Sequence, residues 1–176
     1  MERIRKLHVL TGDGKGKTSA AVGMAARFVG HGGKAVFAQF LKDGTSGELS
    51  SLRRLGVLLP AMPAISGFFS KMAPEEQAGL IREYEEAVPS LMETIRQARP
   101  GLVILDEFSV AVSLGVVTEP AGRGLVSCSL SLAETVVTGR NAPEWLLTMA
   151  DYATVLREVH HPWKAEGLKA RRGIEY

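Results

Sequence analysis

The sequence predicts an α/β fold in which a mainly parallel sheet carries helices on both faces. Two observations predict it. Short apolar runs alternate with segments whose apolar residues recur every three or four positions, a pattern typical of strand–helix–strand units. The first apolar run also ends in a glycine-rich turn that leads directly into a helical segment. Because the 176 residues are 45% hydrophobic and 23% charged, we expect a globular chain with one domain over residues 1–176.

The first half of the chain predicts two strands and two helical segments. Residues 7–10 are an apolar run and predict the first strand, and residues 19–29 predict a helix that ends in a glycine-rich turn. Residues 35–40 predict the second strand. Residues 74–98 show apolar positions at helical spacing, but we expect Pro89 to kink or split this helix because proline has no N–H to donate.

The second half continues the alternation after the Arg99-Pro100-Gly101 break. A variable stretch, in which residues 116–132 contain several glycines and serines, separates the buried strand from the next one. The tail from residue 162 onward shows no clear period. The other predicted elements are a buried strand at residues 102–105, a strand at 135–137, a helix at 143–149 and a possible edge strand at 153–159.

Charge, cysteine content and hydropathy exclude several classes of protein. A net charge of +2 does not indicate a polyanion-binding protein, and the basic cluster of Lys169, Arg171 and Arg172 has no interleaved aromatic residues, so we expect no nucleic-acid partner. The single Cys128 excludes an internal disulfide, and no signal-peptide core is present, so we expect a cytoplasmic protein. The uncharged residues 55–70 are too few and too rich in proline and glycine to anchor the chain in a membrane.

The strongest chemical signal is a phosphate loop between the first strand and the first helix. Its glycines allow backbone N–H groups to converge on phosphate oxygens, Lys17 supplies a positive charge, and Thr18 can bind Mg²⁺. Thr11 stands where the strict pattern has its first glycine. We expect a polyphosphate to bind to the residues of Thr11-Gly12-Asp13-Gly14-Lys15-Gly16-Lys17-Thr18 that follow Thr11.

Two further groups of polar residues follow predicted strands. Asp106 and Glu107 end the buried strand at residues 102–105, and carboxylates at that end can hold Mg²⁺ or its water ligands. The sequence does not decide which of the two binds the metal. Arg140 follows the next strand, where a phosphate contact and an exposed structural arginine are about equally expected.

Together these residues resemble the phosphate-loop corrinoid adenosyltransferases over nearly the whole chain. Besides the phosphate loop and Asp106-Glu107, the resemblance rests on Gln39-Phe40-Leu41-Lys42, Gly47-Glu48, Thr138-Gly139-Arg140-Asn141-Ala142-Pro143, Ala150-Asp151, His161-Pro162 and Gly173-Ile174-Glu175-Tyr176. The resemblance implies a RecA-like fold, a homodimer, and transfer of the 5′-deoxyadenosyl group of ATP to the Co(I) of a corrinoid with release of triphosphate. ATP would lie reversed relative to phosphate-loop hydrolases, with Lys17, the loop amides and Mg²⁺ holding the triphosphate.

The resemblance also implies a corrinoid side of the site and a partner. Members of the family reduce Co(II) to Co(I), with a probable flavoprotein as reductant, and displace the lower axial ligand of cobalt with apolar side chains. Ser66-Gly67-Phe68-Phe69 is similar to the corrinoid-facing segment, which implies that Phe68 lies against the cobalt and that Lys17, Phe68 and Glu107 serve catalysis. From the residues alone, Phe68 and Phe69 filling the core is about as probable.

Two departures keep alternatives open. Ser70 stands where the family often has an aromatic residue, and Ser109 where many members have asparagine. These changes concern the corrinoid side more than the ATP side. The alternatives are a catalytically impaired relative that binds ATP or a corrinoid, and another phosphate-loop nucleotide transferase or NTPase.

Overall fold

The computed structural model describes residues 4–174, so Glu175 and Tyr176 of the C-terminal block lie outside the described residues. Neighbouring strands all run parallel, in the order β2-β3-β4-β1-β5. The predicted parallel sheet is therefore confirmed, with the last strand at an edge. The strands are β1 (Leu7–Thr11), β2 (Ala35–Gln39), β3 (Leu102–Asp106), β4 (Glu134–Thr138) and β5 (Tyr152–Val155).

Seven α-helices connect or follow these strands within the described residues. Three of them, α2, α4 and α7, were not predicted from the sequence because each has at most eight residues, too few to show a helical period. The helices are α1 (Lys17–Gly30), α2 (Gly47–Arg54), α3 (Pro74–Ala98), α4 (Phe108–Ser113), α5 (Glu119–Leu132), α6 (Glu144–Met149) and α7 (Pro162–Glu166).

The helices cover both faces of the sheet, as the sequence predicts. Because side chains alternate along a strand, Val36 and Ala38 of β2 belong to the core cluster under α3, α4, α5 and α6. Ala35 and Phe37 belong instead to the cluster under α1 and α2. Strands β2 and β3 are buried at every position, which explains their continuous apolar sequences.

Pro89 does not split α3, so the expectation of two separate helices was wrong, whereas the alternative of a kink stays a prediction. The helix runs without interruption from Pro74 to Ala98. Pro89 and Glu85, whose carbonyl loses its usual partner, are both exposed, so water can satisfy that carbonyl. The buried face of the helix, which includes Tyr84 and Val88, remains continuous.

The parallel arrangement brings the functional segments together. All five strands end at the same edge, so the segments that follow β1, β2, β3 and β4 meet there. Between residues 4 and 174, no helix combines the length and apolar character needed to cross a membrane.

Candidate active site

A cavity of about 690 Å³ lies at the carboxyl edge of the sheet. Gly12 and Asp106 are the two expected site residues that do not line it. The other residues expected from the sequence all line it, namely Asp13, Gly14, Lys15, Gly16, Lys17, Thr18, Phe68, Glu107 and Arg140. The fold therefore brings the phosphate-loop residues, the acidic residue and the apolar residue to one opening.

The phosphate loop needs its glycines for two reasons. Gly12 and Gly16 have φ angles of 96° and 112°, in the left-handed region that favours glycine. The segment after β5 also packs closely on the loop: Gly14 N–H donates to the Leu156 carbonyl at 2.7 Å, and a Cβ on Gly12 would lie 2.4 Å from the same oxygen. Thr11 departs from the motif because it is the last residue of β1, where extended backbone accommodates a side chain.

Lys17 is folded onto its own loop. Its ammonium donates to the carbonyl oxygens of Gly12 at 2.6 Å and Gly14 at 2.8 Å. The side chain is nearly buried, and burial together with the nearby positive charge of Arg140 lowers the pKa of Lys17. The charge is thus held inside the loop by two neutral acceptors that an anion can replace.

Asp106 lies behind the cavity and is fully buried. Its Oδ1 accepts hydrogen bonds from the hydroxyls of Thr18 at 2.9 Å and Thr138 at 2.7 Å. Its Oδ2 accepts from Nε2 of Gln39 at 3.1 Å. This carboxylate consequently fixes the orientation of Thr18.

Glu107 faces the cavity. The residue has a φ of 57°, and its N–H donates to the Thr138 hydroxyl at 3.0 Å. Burial and the adjacent Asp106 raise the pKa of Glu107, whereas the positive charges of Lys42 and Lys17 oppose the rise. A carboxylate in such surroundings gains from a cation beside it.

The donor set at this point fits Mg²⁺. The Thr18 hydroxyl and the Glu107 carboxylate are hard oxygen donors, and Mg²⁺ commonly takes one or two protein oxygens together with substrate phosphates and water. Within residues 4–174 no cluster of three or more acidic, histidine or cysteine side chains could hold a metal ion alone.

Three non-glycine residues with positive φ surround the cavity. Leu41, Glu107 and Asn141 have φ values of 51°, 57° and 54° and follow β2, β3 and β4. All three line the cavity. Because this conformation is costly for residues other than glycine, its occurrence at three neighbouring strand ends marks the site independently of the motif. Leu41 belongs to the Gln39-Phe40-Leu41-Lys42 segment that carries the family resemblance, but no sequence signal indicated its positive φ.

Phe68 and Phe69 differ in environment. The Phe68 side chain is 71% exposed at the cavity, and the Lys71 ammonium lies 5.4 Å from its ring centroid. Phe69 is only 8% exposed and belongs to the core. The core-filling alternative therefore holds for Phe69 and fails for Phe68. Of the two departures, Ser70 is exposed and Ser109 is fully buried, and neither lines the cavity.

The cavity also contains residues to which the sequence assigned no role. Lys42 adds a positive charge opposite Glu107, and Val110 and Leu114 of α4 add apolar surface. The C-terminal tail returns to this edge, because the ammonium of Lys15 donates to the Ile174 carbonyl at 3.4 Å. Arg140 is exposed at the opening, in reach of a bound anion.

Comparison with known proteins gives consistent results. A family model described as ATP:corrinoid adenosyltransferase BtuR/CobO/CobP matches residues 4–176. A corrinoid adenosyltransferase of Pseudomonas aeruginosa is 33% identical over 97% of this chain and 83% of its own length. The corrinoid adenosyltransferase CobA of Salmonella typhimurium is 31% identical over 96% of this chain and 84% of its own. A relative of the same description from a Sinorhizobium species is 31% identical over 96% of this chain and 78% of its own.

Proposed function

The chain belongs to the ATP:corrinoid adenosyltransferase family, and on that premise we propose that its carboxyl-edge cavity transfers the 5′-deoxyadenosyl group of ATP to the cobalt of a corrinoid. One observation supports this most strongly: a phosphate loop, an acidic residue and an exposed aromatic side chain line a single cavity. No feature of the structure favours the alternatives of an impaired relative or another phosphate-loop enzyme.

The reaction is a nucleophilic substitution at carbon. Co(I) donates an electron pair to C5′ of the ribose, forming a Co–C bond and becoming formally Co(III). The C5′–O5′ bond breaks, and its electron pair leaves with the oxygen of triphosphate. Because the nucleophile belongs to the substrate, the protein needs no activated serine or cysteine.

The residues of the phosphate loop would bind and orient the leaving group. We assign the triphosphate to the loop amides, to Lys17 and to Arg140, whose positive charges would stabilise the negative charge on the departing oxygen. As in the family resemblance, ATP would lie reversed, so that the ribose carbon faces the corrinoid. Holding both reactants in this geometry removes much of the entropic cost of bringing them together.

We assign the metal contact to Thr18 and Glu107, with Asp106 as the residue that orients Thr18. This assignment follows from their positions, since Glu107 lines the cavity and Asp106 lies behind it with three hydrogen bonds already made. Mg²⁺ bound there would neutralise phosphate charge during departure.

The corrinoid would lie against Phe68. An aromatic side chain that is 71% exposed at a cavity has no packing role of its own in the folded chain. Its apolar ring can occupy the lower face of the cobalt and exclude an axial ligand there, which favours the reduced metal. The homodimer, the flavoprotein reductant, the cytoplasmic location and the single domain over residues 1–176 belong to the same proposal.

The test is product analysis with MgATP and a chemically reduced corrinoid. We expect the light-sensitive absorption spectrum of an adenosylated corrinoid, with one triphosphate released for each Co–C bond. Release of orthophosphate without a Co–C bond would identify an NTPase instead. Tight corrinoid binding without any product would identify an impaired relative.

A further inference from the structure

The position of Phe68 depends on the backbone around it. Its ring is largely exposed and contacts Lys71, itself an exposed residue of the same short turn, Phe69–Lys71. The connection between α2 and α3 contains no α-helix and no named strand in this region. Whatever holds the backbone of residues 60–72 therefore determines where the Phe68 ring lies.

Gln77 in the first turns of α3 holds the segment on one side of Phe68. Its Nε2 donates to the carbonyl oxygens of Phe69 at 3.1 Å and Met72 at 3.2 Å. These two carbonyls bracket the short turn that follows Phe68. A single half-buried amide group thus ties both ends of the turn to α3, while the N–H groups of Lys71 and Met72 close the turn on itself.

Tyr84 holds the segment on the other side of Phe68. It lies seven residues after Gln77, two turns further along the same face of α3. Its hydroxyl donates to the Pro63 carbonyl at 3.1 Å and accepts from Leu41 N–H at 2.9 Å. Leu41 lines the cavity, so this buried phenol joins the segment to the cavity wall.

We propose that Gln77 and Tyr84 are positioning residues that act through Phe68 and so determine how the chain binds its corrinoid. The inference rests on the proposed function, in which Phe68 faces the cobalt. Both residues come from one rigid helix, and their hydrogen bonds reach the backbone before and after Phe68. Neither side chain lines the cavity, so neither is expected to touch a substrate.

The first test compares Gln77→Met with Gln97→Met. Methionine keeps the length of glutamine but cannot donate, and Gln97 is an exposed residue of the same helix whose amide donates only to the Glu93 side chain in the described contacts. For Gln77→Met we expect KM for the corrinoid to rise roughly tenfold, the scale expected from a small misplacement of a contact group, with KM for ATP unchanged. Gln97→Met should change neither constant.

A spectroscopic readout separates positioning from general destabilisation. With ATP and Co(II) corrinoid bound, Gln77→Met should lower the fraction of cobalt whose lower axial ligand is displaced, as seen in the absorption spectrum. Equal losses in ATP and corrinoid affinity would overturn the inference. So would an unchanged spectrum and corrinoid KM.

A double-mutant cycle with Phe68→Ala gives the decisive result. If Gln77 acts through Phe68, adding Gln77→Met to Phe68→Ala should have no further effect on corrinoid binding. If the effects of the two substitutions on corrinoid binding add fully, the inference about Gln77 is overturned and the proposed function is not affected. If Phe68→Ala itself leaves the corrinoid side unchanged, both the assigned role of Phe68 and this inference fail.

Tyr84→Phe provides an independent variant. It keeps the ring packed against Phe40, 5.7 Å between centroids, and removes only the hydroxyl. Its thermal unfolding is measured beside its kinetics, at a temperature where the variant is fully folded. We expect the same selective rise in corrinoid KM, and a folded variant with wild-type corrinoid kinetics would overturn the role of Tyr84.

Discussion

At the scale of single residues, Lys17 is the side chain whose role in activity can be tested most directly without disrupting the fold. Its ammonium donates hydrogen bonds to two carbonyls of its own loop. Lys17→Ala should therefore lower kcat about 10²- to 10³-fold, the usual loss for a charge that stabilises a transition state, while the far-UV circular dichroism stays that of the wild type. Measuring triphosphate release in both proteins checks this. Wild-type turnover in the folded variant would contradict the assigned role.

Replacing Glu107 by glutamine should raise the stability of the free protein and lower its activity. Burial and Asp106 raise its pKa, so the ionised carboxylate disfavours the folded state when no cation is bound. At neutral pH and without nucleotide or metal, Glu107→Gln should unfold a few degrees above the wild type. Assayed with MgATP and a reduced corrinoid, the same variant should have lost most of its turnover. Glu86→Gln, at an exposed position of α3, is the matched control and should change neither.

The sign of this effect can be checked by pH. A carboxyl whose pKa is raised on folding adds stability while it is protonated, and this stability is lost as the pH rises through the pKa of the folded state. The Glu107→Gln variant has no carboxyl to ionise at this position, so its stability does not fall in this way as the pH rises. The difference in unfolding temperature should be largest at neutral pH and should disappear below 4.5, the ordinary pKa of the group. A difference that grows at low pH would contradict the assignment.

Some of these residues could be identified from the sequence and others could not. Lys17 and Thr18 are fixed by a local motif whose chemistry depends on neighbouring residues. Asp106 and Glu107 could be found as a pair, but their division into a buried and a cavity-facing carboxylate depends on side-chain orientation at the end of β3. The positive φ of Leu41 had no signal, because leucine has no preference for this conformation.

At the scale of elements, the contact between the phosphate loop and the segment after β5 can be tested by glycine substitution. A Cβ on Gly14 would lie 2.7–2.8 Å from backbone atoms of Leu156 and Arg157. Gly14→Ala should therefore lower the free energy of unfolding by about 1–3 kcal/mol, the cost of overpacking, and weaken ATP binding.

The control for this substitution is Gly23→Ala in α1. A Cβ at Gly23 meets no atom within 4 Å, and the residue is exposed in the middle of the helix. This variant should gain about 0.5–1 kcal/mol from helix propensity. Urea unfolding of the two proteins measures both changes, and equal effects of the two substitutions would contradict the packing argument.

The bounds of most predicted elements agree with the structure, whatever their length. The first four strands and the helices α1, α3 and α6 agree within about two residues, whereas the edge strand was expected at 153–159 and occupies Tyr152–Val155. Helix α4 follows directly from Glu107 and has six residues, so its existence depends on the turn at Glu107 and not on periodicity. Pro89 does not interrupt α3 because it lies on the exposed face of that helix.

At the scale of the whole molecule, ligand binding should stabilise the fold through the cavity. A ligand that binds only the folded state adds about 2.7 kcal/mol at a hundredfold excess over Kd. We expect MgATP to raise the unfolding temperature by several degrees and ATP with a chelator to raise it less, because phosphates then lie beside Glu107 without a neutralising cation. Scanning calorimetry of the wild type and Lys17→Ala measures this. An equal shift in the two proteins would contradict the assigned phosphate site.

Assembly of the site could be predicted only in outline. The parallel order of the strands places the segments after β1, β3 and β4 at one edge, and the sequence indicated this. The family resemblance implied that Phe68 reaches this edge, but not which contacts hold residues 60–72 there. The hydrogen bonds from Gln77 and Tyr84 go to backbone carbonyls that carry no sequence signature, and Ile65 N–H also donates to the Lys42 carbonyl.

The position of Lys17 in the free protein bears on which anions can compete with the nucleotide. An incoming anion can bind the Lys17 ammonium only by replacing its two short hydrogen bonds to the Gly12 and Gly14 carbonyls. Small inorganic ions such as sulfate offer few other contacts in compensation. A polyphosphate chain has many oxygens with which to make the exchange favourable, so the resting loop discriminates against the abundant simple anions of its surroundings.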